Sequence, residues 1–351
     1  MECVAERLLE ADFINYPRFS PNGECLTVSS INLKEGKRVC QTFLLNPDAR
    51  LETIAVIEHS RHDWLGAINY HPIEKVFAAS GYGLDYGRNR NFSLQVWDYS
   101  QGALAYECFI PDGSEGSSTF TPDGTHYVIA RANEVRILRW PSGQIVNRFW
   151  TGLEVYGVDV HPNGSTLIIT HNSEGHTGVS FVEVDEQIVP PSTQKPSLND
   201  PDYGEYSLIW SDYWQEWDDR TLFVPVDRTS GAIFSPDGQF ITLSHWNPVI
   251  YTYPERRLFC AFDQTGARLN TPHEEYRLDP RRCWSSPIFT PDSRTLICGS
   301  EQGMIFRWDV QSGELLDKTQ AHDGLVVDIA LSPDGKMLAS CGRDKKLKLW
   351  Q

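Results

Sequence analysis

No stretch of the 351 residues approaches the roughly 20 consecutive apolar residues that a membrane-crossing helix requires. The opening residues, "MECVAERLLEADF", carry charge where a secretory leader needs an apolar core, so a cytoplasmic protein away from membranes is expected. Basic residues are scarce: 31 Lys and Arg face 47 Asp and Glu, a formal charge of −16. Phosphate backbones are held by clustered Lys and Arg, so bulk nucleic-acid binding is not expected. The eight cysteines (Cys3, Cys25, Cys40, Cys108, Cys260, Cys283, Cys298, Cys341) never form Cys-x-x-Cys. Most lie in apolar or strand-like contexts, which fits reduced, packed thiols better than disulfides or zinc. Gly-x-x-x-x-Gly-Lys, His-Glu-x-x-His and Gly-x-Ser-x-Gly are missing. The Gly-rich "GYGLDYG" has no helix pattern behind it and does not read as a nucleotide loop. His161, His171 and His176 fall near one unit but lack ligand spacing, so no metal, cofactor or catalytic residue is expected.

What the chain does contain is a recurring turn. "SPNG", "HPIE", "TPDG", "HPNG", "SPDG", "TPDS" and "SPDG" place prolines at 21, 72, 122, 162, 236, 291 and 333. Proline presets φ at the first central turn position, and Asp or Asn followed by Gly completes a tight reversal. Short apolar segments flank each turn, as in "GAIFSPDGQFITLSH", and read as strands. A third strand often ends in an aromatic ("SLQVWD", "VRILRWP", "VIYTYP", "MIFRWD", "LKLWQ"), and a fourth follows a Gly-containing turn. Length alone suggests two or three domains, but four antiparallel strands repeated about every 40 residues indicate one β-propeller.

Trp97-Asp98, Trp308-Asp309 and the closing unit "AHDGLVVDIALSPDGKMLASCGRDKKLKLWQ" make the chain resemble the WD40-repeat family over nearly its whole length. The resemblance implies an all-β, seven-bladed propeller spanning 1–351. It also implies a structural hydrogen-bonded set, matched here by His322, Ser340, Asp344 and Trp350. In the second unit Ser80 and Trp97 fit, with His62 near the expected place. In the sixth, Cys298 replaces the serine and Gln302 falls at the Asp position; the third to fifth units lack the set. The last unit stops after three strands, so residues 3 to 9, "CVAERLL", are expected to supply its fourth and close the ring, against their helical propensity.

In an up-down unit the first and third turns share one face and the second turns and unit-to-unit links share the other. Three long loops (82–91, "HNSEGHTG" and the 263–282 insertion) therefore belong to the link face. The largest insertion spans 188–226. Its side depends on whether "QIVP" or "RTLFVP" is the fourth strand of its unit; the former, on the link face, is slightly favoured. Residues 185–227 hold ten acidic and two basic residues, a net of −8. Within them Trp210, Tyr213, Trp214 and Trp217 are candidate partner anchors, the tryptophans spaced to share one face of a short helix. Arg88, Arg90, Arg343, Lys345 and Lys346, with Lys34, Lys37 and Arg38, form a candidate basic arc over the seventh, first and second units. The family likeness implies a non-catalytic scaffold for protein partners, acting as a monomer or as a subunit of a larger complex. A reader of an anionic ligand through the basic arc, and a propeller enzyme with a central-channel site, are the alternatives.

Overall fold

Every described element is a β-strand, because each turn signal reverses the chain after a segment of about six residues, too short for a packed helix. The computed structural model describes residues 1–32, 37–45, 51–59, 64–82, 92–110, 117–131, 134–150, 154–173, 176–184, 221–224, 231–243, 248–262, 267–269 and 285–351.

The chain begins with β1 (Cys3–Leu8). Sheet 1 follows as β2 (Phe13–Phe19), β3 (Cys25–Asn32), β4 (Lys37–Leu45) and β5 (Leu51–His59). Sheet 2 is β6 (Trp64–Tyr70), β7 (Val76–Tyr82), β8 (Phe92–Asp98) and β9 (Ala103–Ile110). Sheet 3 is β10 (Ser118–Phe120), β11 (His126–Arg131), β12 (Glu134–Arg139) and β13 (Gln144–Trp150). Sheet 4 is β14 (Glu154–Val160), β15 (Thr166–Ser173), β16 (His176–Glu183) and β17 (Thr221–Val224). Sheet 5 adds a fifth member: β18 (Ala232–Phe234), β19 (Phe240–Leu243), β20 (Val249–Thr252), β21 (Leu258–Phe262) and β22 (Arg268–Leu269). Sheet 6 is β23 (Ile288–Phe289), β24 (Thr295–Gly299), β25 (Met304–Asp309) and β26 (Leu315–Gln320). Six sheets are thus built from consecutive strands. The last is composite: β27 (Val326–Leu331), β28 (Leu338–Gly342) and β29 (Lys346–Trp350) take β1 as their outer strand.

Residues 3 to 8 are therefore a strand, antiparallel to β29 with Ala5 opposite Leu349 and Leu8 opposite Lys346. Local helical preference yields to an edge whose N–H and C=O groups would otherwise be unpaired.

The packing is circular. Each apolar cluster straddles one junction between neighbouring sheets. Cys25, Ile68 and Phe77 join sheets 1 and 2; Ala78, Leu94, Phe120 and Tyr127 join 2 and 3. Val135, Ile137, Val158 and Leu167 join 3 and 4; Ile168, Phe181, Phe234 and Ile241 join 4 and 5. Phe262, Phe289 and Trp308 join 5 and 6, and Ile297, Val326 and Ile329 join 6 and 7. Ile14, Phe19, Leu26, Ala339 and Leu349 complete the circle between 7 and 1. The first strands β2, β6, β10, β14 and β18 contact one another in series, as do β23, β27 and β2, and these seven strands form the inner wall of a propeller arrangement.

Two expectations about the insertions change. β17 pairs with β16, Ser180 opposite Thr221 and Thr177 opposite Val224, so "RTLFVP" and not "QIVP" supplies the fourth strand of sheet 4. The chain leaves β16 at Glu183, opposite Thr166, where Val184 N–H donates to Ser165 O at 2.7 Å. The departure point is therefore on the face of the "HPNG" turn, and the favoured placement on the link face is overturned. The 188–226 span contains β17, and the 263–282 span contains β22, which pairs with β21.

Candidate interaction faces

The polar set of sheet 7 is built at its link-face end. Trp350 Nε1–H donates to Ser340 Oγ at 2.9 Å, Ser340 Oγ lies 2.7 Å from His322 Nε2, and His322 Nδ1 lies 2.9 Å from Asp344 Oδ1. The network assigns the imidazole proton to Nδ1, with Ser340 donating to Nε2. Asp344 also accepts the backbone N–H of Asp323 and Lys346, both at 3.2 Å. Serine, histidine and aspartate in hydrogen-bonded sequence resemble a hydrolase triad, but Ser340 is fully buried and His322 is buried beside it. Its hydroxyl oxygen already accepts the indole N–H, so no substrate carbonyl can approach. Burial holds the His322 pKa below its ordinary value, against the opposing pull of Asp344.

Cross-strand register locates the same position elsewhere. Trp350 stands opposite Leu338, two residues before Ser340. In sheet 2 Trp97 stands opposite Phe77, so Ala79 holds the serine position. Ser80 pairs with Leu94, one residue beyond that register position, which corrects its assignment to the set. His62 lies outside the described residues. In sheet 6 Trp308 stands opposite Leu296, which gives Cys298 the serine position, near Ser285 Oγ at 3.9 Å. Sheet 4 places His171 Nε2 2.7 Å from Ser180 Oγ, over Gly178, where an added Cβ would lie 2.2 Å from His171 Cε1. His161 sits at the opposite end of that sheet, and the His176 side chain is outside the described residues. Among the described residues no group of three His, Cys, Asp or Glu could hold a metal ion.

The other face carries the repeated turns. Ser20, Thr121, Ser235, Thr290 and Ser332 each donate their hydroxyl to Asn22, Asp123, Asp237, Asp292 and Asp334 at 2.6 Å. Each also accepts the backbone N–H five residues on, for example Met337 at 2.9 Å. Those hydroxyl bonds hold the carboxyls of Asp123, Asp292 and Asp334 below the usual range and keep them charged. Two turns use histidine instead, a role that sequence reading missed. His71 Nε2–H donates to Gly124 O at 3.0 Å and His161 Nε2–H to Gly238 O at 3.2 Å, each in the next sheet. Their Nδ1 atoms accept backbone N–H groups of Glu74 at 2.8 Å and Asn163 at 3.1 Å. The available signal was histidine replacing Ser or Thr at one repeat position, twice.

Two members of the candidate basic arc, Lys345 and Lys346, have acidic partners. Lys346 and Lys348 both hold Glu6 of β1, at 2.7 and 3.1 Å, and Lys345 lies 3.7 Å from Asp12. Arg343 is exposed on the link face. Arg88, Arg90 and Lys34 lie outside the described residues, as do the side chains of Lys37 and Arg38. Trp210, Tyr213, Trp214 and Trp217 also lie outside them, with any helix they would form. The acidic segment that contains them is anchored at both ends to sheet 4, between β16 and β17, and it leaves β16 on the face that carries the charged turn carboxylates.

The model of the "WD domain, G-beta repeat" matches residues 313–351, the stretch that holds the His322–Ser340–Asp344–Trp350 set. Sheet 7 thus carries a WD40 repeat, and the chain is similar to the WD40-repeat β-propeller family. It is 32% identical over 85 residues to the serine-threonine kinase receptor-associated protein of Homo sapiens, covering 22% of this chain and 24% of that protein. It is 27% identical over 172 residues to WD repeat and SOCS box-containing protein 1 of Danio rerio, covering 36% and 41% respectively. WD repeat-containing protein 3 of Homo sapiens is 37% identical over 63 residues, 18% of this chain and 7% of that protein. The chain thus spans under half the length of these relatives. A WD40 placement suggests a protein-interaction kind of role. No helix of the described residues is long and apolar enough to cross a membrane.

Proposed function

We propose that the chain is a non-catalytic, cytoplasmic scaffold, a closed ring of seven blades that presents its turn face to a protein partner. The supporting observation is where the acidic segment between β16 and β17 begins: it leaves β16 on the face lined by Asp123, Asp237, Asp292 and Asp334. Half of the net charge of −16 sits in 185–227. The partner that fits is basic, steered by charge, with Trp210, Tyr213, Trp214 and Trp217 as its apolar anchors. The reading of an anionic ligand on the basic arc is the weaker one, since Asp12 and Glu6 already engage Lys345 and Lys346. A channel enzyme has no support from the described side chains.

The test compares partner capture by the intact chain and by a variant lacking residues 192–219. Loss of partners at an unchanged melting temperature supports the proposal. Retention of every partner together with the melting temperature removes the segment from it. Replacing Trp214 and Trp217 by Ala separates anchoring from packing: affinity falls in the first case, stability in the second.

A further inference from the structure

We propose that the inner wall at the junction of sheets 7 and 1 is a binding site for a carboxylate carried by a partner protein chain, held by the free edge of Arg18 beside the ring of Tyr16. The proposal rests on the ring being an interaction platform, but not on the acidic segment.

β2 is interrupted. Its pairing with β3 breaks between Asn15 and Arg18, and inside the break Tyr16 adopts φ +52°. A bulky aromatic residue rarely enters the left-handed region, and a residue before proline is further disfavoured from helical conformations. The inner strands β6, β14 and β27 are also bulged, yet none holds a residue in that region. Glycine at position 16 would relax the backbone, so the tyrosine is kept at a conformational cost. Such an outlier points from geometry towards function.

The strained bulge brings two groups together. The Arg18 guanidinium lies 6.0 Å from the centre of the Tyr16 ring. Its Nη1 donates to Pro17 O at 2.7 Å and to Asp328 Oδ2 of sheet 7 at 3.0 Å. Nε and Nη2 are bonded to none of the described residues, and the side chain is 35% exposed. That free edge is the planar pair of donors that a carboxylate accepts in a bidentate bond. Among the described residues, Arg18 is also the only Lys or Arg on the inner strands. Asp328 already balances one unit of its charge, and the chain as a whole is strongly acidic, so a singly charged carboxylate suits the site better than a doubly charged phosphate. The half-buried Tyr16 ring offers apolar surface to the residues that flank the carboxylate, which favours a peptide over a free ion.

The probes are a capped peptide Ala-Ala-Glu-Ala-Ala, its Gln counterpart, and acetate, each titrated at constant ionic strength while the Arg18 Nε–H and Tyr16 ring resonances are followed. Saturable shifts with the Glu peptide and none with the Gln peptide are expected. Arg18→Lys keeps a charge for Asp328 but loses the fork, and should weaken binding roughly tenfold. Tyr16→Gly should weaken it by a similar factor while the melting temperature holds or rises, a combination that a packing role does not produce. The site is refuted if both peptides shift the resonances equally or neither does, or if Tyr16→Gly melts lower than the parent. Acetate saturating as tightly as the Glu peptide overturns the partner-chain source. Because the peptide titration needs neither Trp214 nor Trp217, its failure leaves the turn-face proposal standing, and the reverse also holds.

Discussion

Two titratable side chains, the buried His171 and the half-buried Asp159, make opposite demands on pH. Burial pushes the His171 pKa down from 6.5 to about 4. The unfolded chain therefore binds a proton that the folded one refuses, and stability falls as pH drops from 6.5 towards 4, by about 3 kcal/mol in all. Burial raises the Asp159 carboxyl from 3.8 to about 6, against the backbone N–H of Phe234, which it accepts at 2.9 Å. Here the folded state holds the proton more tightly, so stability rises as pH falls through 6. The two effects oppose each other between about pH 6 and 4. His171→Asn should therefore gain stability on acidification over that window, where the parent stays nearly level, as urea unfolding at pH 7, 6 and 5 would reveal. Asp159→Asn keeps an acceptor for Phe234 N–H without the partly desolvated charge, and is expected to raise stability at pH 7 by about 2 kcal/mol. A loss on that substitution would mean that the carboxylate has a counter-charge at neutral pH.

Turns and third strands were the legible elements, because their chemistry is local. Pro, Asp and Gly at fixed offsets state the reversal, and an aromatic marks the end of the third strand. Other features depend on register or on distant chain. Ser80 is displaced from the serine position by one residue, which only the pairing of Phe77 with Trp97 reveals. Lys346 looked free because Glu6, its partner, comes from the other end of the sequence. The side of the 188–226 insertion turned on which of two short apolar segments pairs with β16. A further regularity is invisible in sequence: in every sheet but the fourth, the pairing of third and fourth strands is bulged next to the third-strand aromatic or its equivalent. The shift falls before Phe43, Trp97, Leu138, Tyr251 and Trp308, and opposite Trp350 in sheet 7. Bulges of this kind twist an exposed edge away from further strands. The histidine turns make a testable element. Gly124 has φ +71°, and an added Cβ would lie 2.5 Å from His71 Cε1, whereas Gly324 has φ +95° and nothing within 4 Å. Gly124→Ala should cost clearly more than the roughly 1 kcal/mol of a left-handed alanine that Gly324→Ala reports. Adding His71→Ala should recover part of the excess in a double-mutant cycle, and strict additivity would deny the contact.

At the scale of the whole molecule, closure depends on one strand. Each sheet meets two neighbours, so the circle has no free face while β1 occupies the edge of β29. β1 contributes backbone pairing from Cys3 to Leu8, and Val4 and Ala5 pack on the cluster between sheets 7 and 1. Leu9, just beyond it, is buried in that cluster and donates its N–H to Lys345 O at 3.0 Å. Glu6 ties two lysines of β29, which together hold its carboxyl below the usual range. That ion pairing is half-exposed and contributes little by itself. More stability comes from the apolar contacts at a seam between the two ends of the sequence and from the hydrogen bonds of an otherwise open edge. Removing residues 2 to 10 should expose β29 beside Leu347 and Leu349, both fully buried in the intact ring. The expected outcome is a markedly lower melting temperature or aggregation through edge pairing, read by thermal unfolding and light scattering. Glu6→Gln tests the ion pairing alone and should shift the melting temperature by no more than a few degrees, since an exposed pair is worth about 1 kcal/mol or less. A truncated chain that melts like the parent and stays monodisperse would show that the ring closes without its first strand.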